Sequence, residues 1–138
     1  MERTLVILKP DALKRKLIGE IIKRFETKNL EITQMKTTRI ERDIAEYHYQ
    51  HVREFPFFND MIDYIIADRS VIMLIEGENA ITTVRELIGK ASPNESLPGS
   101  IRGDYGINSF KNLIHASDSI DSAEVEIRRF FGELSNNM

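Results

Sequence analysis

Two short apolar runs decide how this chain folds: Leu5-Val6-Ile7-Leu8 and Val71-Ile72-Met73-Leu74-Ile75. Both are bounded by charged or turn-forming residues, and both are rich in the β-branched side chains that strands favour. An unbroken apolar run has no polar face to turn toward water, so each run is typical of a strand that is buried on both faces. The segment from Glu31 to Arg39 is β-prone but more polar, which indicates an edge strand, and Asn112 to His115 is a weaker fourth candidate.

Helical patterns separate these strands. Apolar stripes at helical spacing occur at Ile18, Ile21, Ile22 and Phe25; at Ile44, Tyr47, His51, Val52 and Phe55; at Ile81, Val84 and Ile88; and at Ala123, Ile127, Phe130, Phe131 and Leu134. Asn29 is the predicted end of the first helix, Asp43 the N-cap of the second, and Asn79 and Asp121 precede the others. The order β-α-β, helical insertion, β-α-β predicts an α+β fold, a ferredoxin-like βαββαβ two-layer sandwich on a four-stranded antiparallel sheet.

Composition narrows the class of protein. A length of 138 residues predicts one domain over residues 1–138, with a core that needs no metal or disulfide. Nineteen Lys and Arg against 22 Asp and Glu argue against a basic nucleic-acid or membrane surface. The absence of cysteine excludes disulfides, thiol nucleophiles and cysteine-ligated metals. No apolar run approaches the ~20 residues of a membrane span, and no signal-peptide pattern is present, so we expect a cytoplasmic protein without membrane contacts.

One stretch, from Ala91 to Asn108, shows no clear period and holds two prolines and three glycines. An irregular segment of this length in a compact domain is usually functional or disordered. It also carries Arg102, Asp104 and Tyr105, which a simple linker would not need. We therefore expect a long ordered loop that packs against a ligand or a partner subunit.

The chain has three histidines. His48 and His51 stand three residues apart on a predicted helix with no third ligand at useful spacing, which favours packing or an interface over metal binding. His115 ends a predicted strand, and strand alternation puts Ser117 on the same face if the strand continues. An imidazole in that place is open to four interpretations: metal ligand, general base, nucleophile or ordinary core histidine.

Three cations lie near the ends of predicted elements: Lys9, Arg85 and Arg102. Phosphate chemistry needs such charges, although each of them alone is more typical of a solvated surface. The glycine-rich motifs of P-loop enzymes and of Rossmann dinucleotide binders are absent. Tyr49 falls off the apolar stripe of its helix, and Phe57 lies beside a proline where its ring could stack on a base. Ordinary packing is the alternative for both aromatic residues.

Five stretches carry a more specific signal: residues 2–11, 19–26, 56–58, 98–105 and 112–119. In this order they resemble the nucleoside diphosphate kinases over nearly the whole chain. The most specific part is His115-Ala116-Ser117-Asp118-Ser119 with the upstream Ile101-Arg102-Gly103-Asp104. The resemblance outweighs the local interpretations of these residues given above.

The resemblance implies a ping-pong reaction. His115 would take the γ-phosphate from a nucleoside triphosphate, mainly ATP, and pass it to a nucleoside diphosphate at the same site. Other residues match family positions with known roles. The positions that contact phosphates are matched by Lys9, Tyr49, Arg85 and Arg102, and those that hold the ribose hydroxyls by Lys9 and Asn112. Phe57 matches the ring that stacks on the base, and Ser117 and Glu126 match the positions that orient the histidine.

The sequence departs from the family at Ala91, where a phosphate-contacting threonine is usual, so we expect somewhat weaker nucleotide binding.

The resemblance also implies Mg²⁺ carried mainly by the nucleotide phosphates, no protein metal ligand, and a homo-oligomer, tetramer or hexamer, built from dimers. Stable nucleic-acid binding is not expected. One alternative is a scaffold subunit of the family without activity. Another is an RNA-binding ferredoxin-like module, which would need exposed aromatic pairs that the two apolar runs lack.

Overall fold

The computed structural model of the protein describes residues 1–108 and 111–132. Within this part of the chain one sheet is formed by β1 (Glu2–Leu8), β2 (Glu31–Thr38), β3 (Ser70–Gly77) and β4 (Ile114–Ala116). The strand order is β2-β3-β1-β4, and every neighbouring pair is antiparallel. This is the ferredoxin-like order, so the predicted fold is confirmed, with the polar strand β2 at an edge.

Helices connect the strands. The described residues form α1 (Pro10–Lys14), α2 (Ile18–Thr27), α3 (Arg42–His48), α4 (Phe58–Ile66), α5 (Ala80–Ile88), α6 (Ile101–Tyr105) and α7 (Ile120–Phe131), with short 3-10 turns at Gln50–Val52 and Pro93–Glu95. Helices α1 and α2 lie between β1 and β2, and α5 and α6 lie between β3 and β4. Helices α3 and α4 form the predicted helical insertion between β2 and β3.

The central strands are buried on both faces, as their unbroken apolar runs predict. Val6 and Leu8 face a core that α2 and α5 complete, whereas Leu5 and Ile7 face a second core closed by α3, α4 and α7. The expected two layers are therefore three, because the inserted helices and α7 cover the face that a two-layer sandwich leaves open. Burial of both faces excludes the exposed sheet surface of an RNA-binding module.

The helix predicted from Ile44 to Phe55 is too long. Helix α3 ends at His48, a 3-10 turn follows, and the Phe55 side chain is 52% exposed. The next helix, α4, was not predicted. Its signal is present in the sequence, because the buried residues fall at i, i+3, i+4 and i+7: Phe58, Met61, Ile62 and Ile65.

Helix ends agree with the sequence in part. Asn29 has a φ of 62° just after α2, in the left-handed region that asparagine tolerates, and it ends that helix as predicted. Asp43 lies inside the first turn of α3 instead of capping it. Ser119 precedes Asp121 as the N-cap of α7, because its Oγ accepts a hydrogen bond from the Ser122 backbone. Leu134, assigned to this helix from the sequence, lies outside the described residues.

The segment from 91 to 108 is ordered by contacts of its own. Ser100 caps α6, and its Oγ accepts a hydrogen bond from the Gly103 backbone nitrogen at 3.0 Å. A β-carbon on Gly103 would overlap the Leu97 carbonyl, so this position requires glycine. Asp104 pairs with Arg24 of α2 at 2.9 Å. These contacts hold the loop against the body of the protein.

Candidate active site

His115 is the centre of the candidate site. It lies in the middle of β4, opposite Ile7 of β1. Its Nε2 is 2.9 Å from Glu126 Oε1 on α7, and Ser117 Oγ donates to the same oxygen at 2.8 Å. Strand alternation puts His115 and Ser117 on one face, as predicted, and that face meets α7. A single carboxylate oxygen therefore joins both side chains.

The protonation states of this pair follow from burial and contact. Burial lowers the pKa of His115; the hydrogen bond and charge of Glu126 oppose this, and the charges of Lys9 and Arg102 lower the pKa further. Burial by itself raises the pKa of Glu126, but the contacts with His115 and Ser117 bring this pKa below its ordinary value. The imidazole is therefore neutral and the carboxylate ionised near neutral pH. Nε2–H donates to Oε1, and the pair is a hydrogen bond to an anion.

Two further cations are desolvated beside the imidazole. The Lys9 side chain is buried, and its Nζ donates to Asn112 Oδ1 at 2.9 Å. Burial lowers the pKa of Lys9 to about 7, with the charge of Arg102 adding to the shift and Asp11 opposing it. Burial and the charge of Arg85 lower the pKa of Arg102 to about 10. Burying these cations next to one another costs free energy, because they lose water and repel each other. Such a concentration of positive charge is typical of a site that binds an anion.

Both arginines are anchored to the backbone on either side of His115. Arg102 donates from Nη1 to the Gly89 carbonyl at 3.1 Å and from Nη2 to the Ile114 carbonyl at 2.5 Å. Arg85 donates from Nη1 to the Ala116 carbonyl at 3.2 Å. The buried Nε of Arg102 has no hydrogen-bond partner among the described residues. The fold thus brings together cations that lie far apart in sequence.

Asn112 enters the site from the strand β4 side. It is buried, and besides the bond from Lys9 its Nδ2 donates to the Ala91 carbonyl at 3.0 Å. Ala91 thereby contacts the site through its backbone, while its side chain offers no hydroxyl. The next residue, Leu113, is buried with a φ of 79°, a left-handed conformation that costs a leucine about 1–3 kcal/mol.

Tyr49 is buried although periodicity places it off the apolar stripe. Its ring centroid lies 6.1 Å from that of His115, and Lys9 Nζ is 5.8 Å from the Tyr49 centroid. Burial raises the pKa of Tyr49, with the charge of Glu126 adding to the shift, so its hydroxyl keeps the proton and can donate it in a hydrogen bond. Tyr49 is the last residue before the 3-10 turn, and it belongs to the second core.

The sequence favours packing or an interface for His48 over metal binding, and in the structure His48 packs directly on His115. The two ring centroids are 4.4 Å apart in an edge-to-face arrangement, and Arg129 Nη1 is 2.8 Å from His48 Nδ1. His48 is buried and His51 exposed, the reverse of what the predicted stripe gives. His48 lies three residues after the buried Ala45, and this helical spacing indicates that the two side chains share the buried face.

Metal-ligand atoms of His48, His115 and Glu126 lie within 4.8 Å of one another. A bare cluster of this kind resembles a metal site. Here the His115 nitrogen and the Glu126 oxygen bond to each other, and the Arg129 guanidinium contacts His48. A metal ion would have to displace the first contact and withstand repulsion from the second.

Phe57 lies at the start of α4 and is half-buried. Its ring stacks on that of Phe55, with centroids 5.3 Å apart and planes 14° from parallel. The pair presents aromatic surface in the middle of the insertion, between α3 and α4, as a base-stacking role needs.

A ferredoxin-like sheet that holds a neutral imidazole among buried cations has the chemistry of a phosphotransferase with a histidine nucleophile. Comparison with known proteins agrees. A family model described as nucleoside diphosphate kinase matches residues 2–135. A nucleoside diphosphate kinase of Acetivibrio thermocellus is 57% identical over 136 residues, which cover 99% of this chain and 100% of the relative. One of Methanocaldococcus jannaschii is 51% identical over 132 residues, covering 96% and 94%.

Solved structures give the same result. An apo nucleoside diphosphate kinase from Encephalitozoon cuniculi superposes with a TM-score of 0.93 at 42% identity, over 96% of this chain and 90% of that one. A Halobacterium salinarum nucleoside diphosphate kinase in complex with CDP gives 0.90 at 42% identity, over 94% and 87%. The chain belongs to the nucleoside diphosphate kinase family.

The predicted family and the predicted enzyme class, a nucleotide phosphotransferase, are confirmed by these comparisons. The predicted activity, transfer of a γ-phosphate between nucleotides through a phosphohistidine, is the reaction of this family. Within residues 1–108 and 111–132, no helix has the length and apolar character to cross a membrane.

Proposed function

We propose that His115 carries the phosphate in a ping-pong transfer from nucleoside triphosphates, mainly ATP, to nucleoside diphosphates. The observation that carries this proposal is the hydrogen bond from His115 to Glu126 beside buried, mutually repelling cations. The carboxylate orients the ring, and the cations supply the charge that a phosphate needs.

The hydrogen bond also selects the reacting nitrogen. Because Nε2–H donates to Glu126, the lone pair of the neutral ring is on Nδ1. Nδ1 attacks the γ-phosphorus in line, and the bond from phosphorus to the oxygen shared with the β-phosphate breaks, so the diphosphate leaves with the electron pair. The phosphorylated ring gains positive charge, which Glu126 stabilises. A terminal oxygen of the second diphosphate then attacks phosphorus, and the electron pair returns to Nδ1 without any proton transfer.

Four side chains bind the phosphates in this proposal: Lys9, Tyr49, Arg85 and Arg102. A loose transition state spreads negative charge over the equatorial oxygens, so positioned cations and hydroxyl donors do most of the work.

The nucleoside is bound by other groups. Lys9 and Asn112, joined by a 2.9 Å hydrogen bond, hold the ribose hydroxyls. Phe57 stacks on the base, and because every base has a π-face this contact tolerates different nucleotides. Ser117 shares the Glu126 oxygen with His115 and thereby orients the imidazole.

The residues fit a Mg²⁺ ion that arrives with the nucleotide. Glu126 already accepts two hydrogen bonds through one oxygen, and the charged groups that act on His115 from the nucleotide side are the cations Lys9 and Arg102. Mg²⁺ usually keeps several waters and is held largely by substrate phosphates. We therefore assign it no protein ligand; when bound, the ion neutralises phosphate charge.

We also propose that residues 1–138 form one kinase domain that works in the cytoplasm as a homo-oligomer, a tetramer or hexamer built from dimers, without stable nucleic-acid or membrane contacts. A formal charge of −3 supports the absence of nucleic-acid binding. Apolar side chains suited to contacts between copies are exposed at Met35 of β2, Leu97 and Ile107. Light scattering would give the number of subunits.

The decisive experiment compares His115→Ala with His51→Ala, since His51 is an exposed histidine outside the site. After incubation with γ-labelled ATP, we expect acid-labile phosphoprotein and transfer to diphosphates in the wild type and in His51→Ala. We expect neither in His115→Ala, with an unchanged unfolding midpoint. Labelling and turnover of His115→Ala near the wild-type level would refute the proposal.

A further inference from the structure

The carboxylate of Asp11 is buried, although Asp11 touches none of the groups proposed to react. It lies in the first turn of α1, two residues after Lys9. Its Oδ2 accepts a hydrogen bond from the Leu113 backbone nitrogen at 3.1 Å, a buried contact between residues 102 positions apart.

Leu113 needs such a partner. Its φ of 79° is in the left-handed region, which an L-residue with a branched side chain rarely adopts without support from its surroundings. The Leu113 nitrogen is held by Asp11, and its carbonyl accepts a hydrogen bond from the Lys9 nitrogen at 2.8 Å. The corner between β1 and α1 therefore holds both polar backbone groups of this residue.

The held backbone decides where Asn112 points. Asn112 precedes Leu113, so the peptide plane between them follows the left-handed turn. In the observed orientation Asn112 Oδ1 accepts from Lys9 Nζ at 2.9 Å, and Nδ2 donates to Ala91 at 3.0 Å. If the Leu113 backbone relaxed to negative φ, Asn112 would lose this position and Lys9 would lose its partner.

We propose that Asp11 is a positioning residue that aims Asn112 and Lys9 at the ribose hydroxyls and so sets the preference for nucleotides that carry those hydroxyls. This inference rests on the proposed function, in which Lys9 and Asn112 bind the ribose. Loss of the Asp11 contact penalises substrates that carry the hydroxyls more than substrates that lack them, because Asn112 serves the ribose alone, whereas Lys9 also binds the phosphates that both substrates share.

The test measures kcat/KM for ADP and for 2′,3′-dideoxy-ADP in the wild type, Asp11→Asn and Asp11→Ala. Asp11→Ala removes the acceptor, so we expect about a tenfold loss with ADP and less than about threefold with the dideoxy substrate. Asp11→Asn keeps a weaker, neutral acceptor, and we expect the ratio of the two values to fall about two- to threefold. If Asp11→Ala does not fold, the Asp11→Asn ratio decides the question alone.

Ser119→Ala is the matched control, because it also removes one side-chain acceptor of a backbone N–H, at the start of α7. We expect it to lower the unfolding midpoint and leave the substrate ratio unchanged.

An equal loss with both diphosphates in the Asp11 variants, or an unchanged ratio, would mean that Asp11 is merely structural and would overturn the inference. Phosphohistidine formation, measured in parallel, tests the proposed function separately. A wild type that forms the intermediate but treats both diphosphates alike would remove the ribose assignment and this inference with it.

Discussion

Replacing Glu126 by glutamine tests how the imidazole is activated. The amide oxygen of glutamine can still accept the bonds that Glu126 Oε1 accepts now, from His115 Nε2 at 2.9 Å and from Ser117 Oγ at 2.8 Å. The orientation and the tautomer of the ring are therefore kept. The negative charge is lost, and with it the stabilisation of the cationic phosphohistidine.

The magnitude follows from the difference between two kinds of hydrogen bond. A bond to a charged group contributes about 1.5–3 kcal/mol and a neutral one about 0.5–1.5 kcal/mol. The variant should therefore lose about 1–1.5 kcal/mol of transition-state stabilisation, which is about a five- to tenfold slower phosphorylation of His115. Nucleotide affinity should stay the same, because Glu126 is not among the groups proposed to bind the nucleotide.

The pH dependence gives a second readout. Neutral His115 is the nucleophile, so the rate falls as the pH drops through its pKa, which burial places below the ordinary value. Because the Glu126 carboxylate raises the pKa of His115, its removal moves this pKa lower still. The acidic limb of the rate profile should therefore shift to lower pH in Glu126→Gln while the plateau falls.

Single-turnover phosphorylation by ATP, quenched at intervals between about pH 5 and 8, measures both effects. Glu124→Gln is the matched control, since Glu124 lies on the same helix and pairs with Arg3 at 2.6 Å. A plateau within twofold of the wild type, or an acidic limb displaced to higher pH, would refute the assignment of Glu126 as the partner that stabilises the charged ring.

Three further outcomes are expected. Since the pKa of Lys9 is about 7, phosphate binding should raise it and draw a proton onto the enzyme near pH 8; calorimetry in buffers of different ionisation enthalpy should detect this uptake, and Lys9→Met should abolish it. Ala91→Thr should lower the KM for nucleotides by about two- to tenfold through one added hydrogen bond, whereas Ala91→Val, which lacks the hydroxyl, should not; equal effects of both would contradict the account. Phe57→Ala should raise the KM for ADP, GDP and CDP alike by about fivefold or more, and Phe55→Ala should do so less; a defect limited to one base would exclude stacking as the main contact.

Local pattern predicted the sheet well and the insertion poorly. Residues 5–8 and 71–75 could be recognised as strands buried on both faces from their unbroken apolar character and their β-branched side chains alone. The helix predicted up to Phe55 ends at His48 in the structure. The spacing of apolar residues does not show where tertiary contacts cease to stabilise a helix. Helix α4 was missed even though its stripe was complete.

The candidate site was predicted by resemblance more than by pattern. Histidine at position 115, considered alone, was compatible with an ordinary core residue. Its position in a specific motif, with Arg102 upstream, identified the family. The contact of Asp11 with Leu113 and the packing of His48 against His115 were not predicted, because each contact joins residues that lie far apart in the sequence.

The sequence alone determined which segments are buried, which residues carry charge near the ends of strands, and the family to which the chain belongs. The tertiary structure decided the chemistry of those residues. Lys9 meets Asn112 across 103 positions and Asp11 meets Leu113 across 102. Burial lowers the pKa of Lys9, Asp11 holds the left-handed turn at Leu113, and Glu126 sets the tautomer of His115. Local periodicity carries no information about such contacts, because they depend on which surfaces the folded sheet brings together.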